Sequence, residues 1–177
     1  EKTGDGKKAT ALYREVVNMN PPYEVEFNAR INLAGVFDVN SGNPEYIKRE
    51  LEKMLRDSKN KDYRDQIYFA LGNLEKKAGN EKEAVDYYKK SAVSGRQNPN
   101  QKGKTFLALA QYYYSKPDYI NSGKYYDSTV YLLDQKYPDY QLIKAKSQNL
   151  NFLVRQLNII QREDSLQRVA KMTEAER

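Results

Sequence analysis

Residues 68–94 read YFALGNLEKKAGNEKEAVDYYKKSAVS, and the fold is decided here. Before the Gly79-Asn80 pair, Tyr68, Leu71 and Gly72 recur at helical spacing; after it, Ala84, Tyr88 and Ser91 do the same. Such spacing puts each trio on one face of a helix. Glycine followed by asparagine suits a tight turn and the start of a second helix. The segment therefore predicts two helices that pack through small and aromatic residues.

Outward from this segment the same pattern returns. Ala9, Ile47, Ala84 and Ser122 are separated by 38, 37 and 38 residues, and the same steps relate Tyr13, Leu51, Tyr88 and Tyr126, then Val16, Met54, Ser91 and Thr129. The first helix of each pair has its own series in Ile31, Tyr68 and Phe106, in Ala34, Leu71 and Leu109, and in Gly35, Gly72 and Ala110. Gly42, Gly79 and Pro117 hold the turn, with Asn43, Asn80 and Asp118 behind them. Gly4 and Asp5 fall in this series as well, so the chain is expected to start inside a repeat. A fixed period of this length is the mark of a repeat array, in which stacked helix pairs share one thin core. Charged residues make up 31% of the 177, and the mean hydropathy is -0.94, which agrees with a thin core.

With no histidine and no cysteine, the sequence lacks imidazole-dependent nucleophile systems, histidine zinc sites, thiolate metal sites and disulfides. No catalytic residue, metal or cofactor is expected. The carboxylates Glu81, Glu83 and Asp86 fall on stretches expected to be solvated. The net charge of +6 comes from 30 basic residues interleaved with 24 acidic ones. Sixteen tyrosines beside lysines have the chemistry to stack bases of a single strand, but core positions consume Tyr13, Tyr68, Tyr88, Tyr113 and Tyr126. A nucleic-acid partner is accordingly not expected.

These residues resemble the tetratricopeptide family, most clearly in Tyr68, Leu71, Gly72, Gly79, Ala84, Tyr88 and Ser91, and in Phe106, Leu109, Ala110, Tyr113, Ser122 and Tyr126. The unit built on Ile31, Gly35, Ile47 and Leu51 is degenerate, with Asp38 and Glu75 where the family usually carries an aromatic. The resemblance implies an all-α, right-handed solenoid of helix pairs ending in an extended or capping helix. It spans residues 1–161, as a partial unit 1–22, units at about 28–61, 65–98 and 103–136, and a further first helix 140–161, before a C-terminal helix 162–177. The period exceeds the family's usual ~34 residues, so the linkers hold the surplus, Asn98, Pro99 and Asn100 among them. The family's inner face maps here onto Asn32 and Val36, onto Phe69, Asn73, Lys76 and Lys77, onto Lys104, Leu107, Gln111 and Tyr114, and onto Lys144 and Gln148. Either this face binds an extended segment of another protein, with Phe69, Leu107 and Tyr114 forming side-chain pockets, or it is only wetted. The family's carboxylate clamp is broken, since Phe69 and Ala70 replace its lysine and asparagine and only Asn73 remains.

Beyond Tyr137, Pro138 and Asp139, the residues Leu150, Leu153, Leu157 and Ile160 follow a coiled-coil-like seam, and Asp164 with Gln167 reads as a capping box that restarts a helix carrying Leu166, Val169 and Met172. This end either caps the final repeat or docks a partner. The run from Leu157 to Ile159 with Gln161 to Arg168 also resembles the large tetratricopeptide lipoproteins of the PorW or SprE type, from the type IX secretion and gliding-motility apparatus of Bacteroidetes. That resemblance implies a non-catalytic periplasmic adaptor at the outer membrane, lipid-anchored in its parent protein, linking the periplasmic ring to the outer-membrane translocon. Its partners would be ring or translocon subunits; the alternative is a nucleic-acid-binding or regulatory repeat protein.

Overall fold

The computed structural model describes residues 6–39, 43–94 and 98–173. Among these the chain is all-α: α1 (Gly6–Asn18), α2 (Tyr23–Val36), α3 (Pro44–Arg56), a 3-10 segment (Ser58–Tyr63), α4 (Arg64–Lys77), α5 (Glu81–Ser94), α6 (Pro99–Ser115), α7 (Tyr119–Leu132) and α8 (Tyr140–Ala170). Gly4, Asp5 and Gly42 of the turn series lie outside the described residues. The chain divides into two compact units, Glu1–Thr105 and Phe106–Arg177.

In the first unit, the turn between α4 and α5 follows from two residues. Gly79 takes φ +84°, a conformation that costs glycine little, and the Asn80 N–H donates to Glu75 O at 2.9 Å across it. This closes α4 and sends the chain straight into α5. Gly72 then admits Tyr88: a Cβ at Gly72 would lie 2.6 Å from the Tyr88 ring and 3.2 Å from Ala84 O. The Tyr88 hydroxyl, pushed up in pKa by burial, donates to Asn73 Oδ1 at 2.8 Å. The Asn80 side-chain amide donates back to Glu75 Oε2 at 2.7 Å.

The pair α2 and α3 departs from this plan. α4 starts 41 residues after α2 (64 less 23), whereas Ile31 and Tyr68 are 37 apart, so α2 sits four residues early in the repeat register. It begins at Tyr23 rather than near residue 28. It also ends early, which leaves Asp38 exposed beyond the helix while Glu75, its counterpart, is buried within α4. Gly35 is exposed too, and a Cβ there would meet nothing within 4 Å. Polar contacts tie this region together. Asn43 caps α3 by accepting from the Glu45 N–H at 3.0 Å, with Pro44 behind it. Arg30 on α2 spans Glu26 at 2.9 Å and Glu50 on α3 at 2.6 Å. Lys48 on α3 reaches Glu75 on α4 at 2.6 Å. A core of Phe27, Leu33, Ile47, Leu51, Met54, Ile67, Leu71 and Leu74 lies beneath them.

In the second unit, Leu107, Ala110, Tyr126 and Leu150 form the core. Ser122 fills a small-residue position and donates to Ala110 O at 3.0 Å, which lets α7 approach α6. Asp118 caps α7 through the Asn121 N–H at 3.1 Å. Asp127 on α7 accepts from Ser147 and from Asn151 at 2.7 Å, fixing α8. The helix expected to restart at Asp164 does not do so: α8 runs unbroken through that residue to Ala170, because Asp164 continues the helix instead of leaving it to cap a new one. Only the first half of α8 packs. Leu150 is buried, but Ile160, Leu166 and Val169 are 55%, 53% and 46% exposed. Residues 174–177 of the expected final helix lie outside the described residues.

Candidate partner-binding surface

The residues mapped to the inner face divide by burial and by what already occupies them. In the first unit Asn32 and Lys76 are exposed, and Val36, Phe69, Asn73 and Lys104 are half-buried. Phe69 leans on Tyr88 with ring centroids 5.7 Å apart, and Asn73 Oδ1 is taken by the Tyr88 hydroxyl. Lys77 has a structural task. Its ammonium donates to Gly35 O and, at 3.2 Å, to Phe37 O, closing the early C-terminus of α2. Burial pushes its pKa below the usual lysine value, against the opposing pull of Asp38. Phe69, Asn73 and Lys77 thus stabilise the helix pairs with groups that the family resemblance maps to the inner face.

In the second unit Leu107 requires correction. It is 8% exposed and packs in the core with Ala110, Tyr126 and Leu150, so it offers no open side-chain pocket. On α6 it lies one helical turn from buried Ala110, on the face turned toward the core. Gln111 and Tyr114 lie one helical turn apart on α6, and Lys144 and Gln148 one turn apart on α8; all four are exposed. Lys146 was not among the sequence candidates, yet it joins these two helices: its Nζ stands 3.6 Å from the Tyr114 ring centroid and 5.4 Å from that of Tyr126. A lysine two residues from Lys144 carried no separate signal, since such neighbours point to different sides of a helix. Tyr114 is also packed edge-on against Tyr119 at 5.8 Å. The ring is therefore held at the surface in one orientation, 43% exposed, with amide and ammonium groups around it.

Other tyrosines are spent on one another, as in the Tyr113–Tyr125 stack at 5.4 Å and the Tyr68–Tyr87 pair at 6.4 Å. Asp65 is a different case: it is 2% exposed, and neither carboxylate oxygen finds a hydrogen-bond partner. Burial raises its pKa, against the pull of nearby backbone amides. Ser91 donates to the backbone O of Asp65 at 2.7 Å and pairs with Thr105 at 2.8 Å, so this is a small buried polar centre. Among the described residues no group of three or more aspartates or glutamates is placed to hold a metal ion, and no helix is long and apolar enough to cross a membrane. No family model matches the chain, and no curated protein matches it.

Proposed function

We propose that this chain is a non-catalytic protein-interaction scaffold built as a right-handed solenoid of tetratricopeptide-type helix pairs. The supporting observation for the repeat type is that Ala84 O lies 3.2 Å from a Cβ built at Gly72 and Ser122 bonds to Ala110 O, so a second helix sits closely on a first one at equivalent points of the period. The observation that carries the binding role is Tyr114. An aromatic ring held by Lys146 and Tyr119, with Gln111 beside it on α6, is the kind of rigid anchor around which contacts to an extended polypeptide gather. By resemblance, the scaffold serves as an adaptor of the type IX secretion and gliding apparatus, periplasmic and anchored through its parent at the outer membrane, between ring and translocon subunits. Tyrosines engaged in ring pairs favour this over nucleic-acid stacking.

The test is affinity capture from a Bacteroidetes envelope extract with the chain and with a Gln111→Ala, Tyr114→Ala, Lys144→Ala variant, which spares the buried Leu107. Ring or translocon subunits retained by the parent and lost by the variant support the adaptor. Equal retention by both moves the binding surface elsewhere. Salt-sensitive capture of nucleic acid supports the alternative.

A further inference from the structure

An open cavity of about 330 Å3 lies among α1, α2 and α3, at the lower end of the size range of small-ligand clefts. Leu33, Ile47 and Leu51 form an apolar floor, each less than a tenth exposed. Arg14, Arg30 and Glu50 stand among the polar residues of its wall. The two arginines differ. Arg30 is engaged by Glu26 and Glu50, so its charge is neutralised within the wall. The side chain of Arg14 makes no ion pair or hydrogen bond with a described residue.

We propose that this cavity binds an amphipathic monocarboxylate, an aliphatic body carrying a single carboxylate head. The floor rewards an apolar body by removing it from water. Arg14 supplies one uncompensated charge and a planar fork that matches a carboxylate in two parallel hydrogen bonds. A second negative charge on the ligand would face Glu50 or the apolar floor, which disfavours dicarboxylates and phosphate esters. A neutral alcohol of the same length keeps the floor contacts and loses the head contact. The same chemistry occurs in a free aliphatic acid and in the C-terminal leucine of a polypeptide.

The experiment is a calorimetric titration of the 177-residue chain with decanoate, decanol and N-acetyl-leucyl-leucine. Decanoate is expected to bind saturably with one-to-one stoichiometry, and decanol about tenfold more weakly. Arg14→Gln changes an exposed residue and is expected to weaken decanoate by about tenfold while leaving decanol unchanged. Val17→Phe, which fills the cavity wall, is expected to abolish both in a chain whose circular dichroism shows it folded. Tighter binding of the dipeptide than of decanoate assigns the site to polypeptide C-termini, and the reverse assigns it to free acids. Absence of saturable binding by either acid, or equal decanoate affinity in the Arg14→Gln variant, overturns the proposal.

Discussion

The pairs α4/α5 and α2/α3 occupy equivalent stretches of one repeat and are held together by different means. In α4/α5 the second helix closes on the first through a tyrosine ring against a glycine, with a three-residue turn, Ala78 to Asn80, between the helices. In α2/α3 the equivalent of Tyr88 is Leu51, the equivalent glycine faces open space, and α2 stops early. The Arg30–Glu50 ion pair then joins α2 to α3 above their shared core, Lys77 of α4 closes the end of α2, and a cavity opens beside the pair. One glycine serves close approach, while the other serves nothing that packing reveals. In the proposed repeat array each unit leans chiefly on its neighbours, which tolerates such a loose unit.

Substitution at the two glycines separates the pairs most strongly. Gly72→Leu must displace the Tyr88 ring or the Ala84 backbone, and is expected to cost about 3 kcal/mol in denaturant unfolding. An unchanged melting temperature would contradict both the packing and the repeat register. Next comes the ion pair that joins the loose region to the tight one. Burial pushes the Glu75 carboxyl upward, but the hydrogen bonds from Lys48 and Asn80 outweigh it, and the net pKa lies below the usual value. The contribution of Glu75 is therefore complete above the unfolded-state pKa of about 4.3 and is lost as the pH falls through the lower folded value. Lys48→Met leaves a buried carboxylate without its cation and with only the Asn80 amide beside it, which is expected to cost about 2 kcal/mol at pH 7 and less once acid protonates Glu75. A penalty that stays constant as the pH falls from about 7 to well below the unfolded-state pKa would show that the pair does not carry it. Smallest is Gly35→Ala, which adds a methyl to open space and removes backbone freedom from the unfolded chain. It is expected to raise stability by about 0.5–1 kcal/mol, opposite in sign to Gly72→Leu.

The helices and their turns were legible because they rest on local chemistry: Gly79 for a left-handed turn, Asn43 and Asp118 as caps, and small residues where helices touch. The early placement of α2 was not, since the series Ile31, Ala34 and Gly35 continues the period in letters while the helix that bears it is offset by a turn. Nor was the unbroken α8, because an aspartate followed three residues later by a glutamine is as compatible with a helix interior as with a capping box. At the candidate site the sequence located exposed Gln111, Tyr114, Lys144 and Gln148, yet it could not tell an open position from an occupied one. Leu107 went to the core, Lys77 to helix closure, and Lys146 emerged only when α6 and α8 were brought together.

Residue-resolved amide hydrogen exchange measures the difference between the two pairs directly. The α5 amides around Ala84 and Tyr88, locked against Gly72, are expected to exchange at least about tenfold more slowly than the α3 amides around Ile47 and Leu51, which border the cavity. Equal protection, or faster exchange in α5, would contradict the account of one closed and one open helix pair.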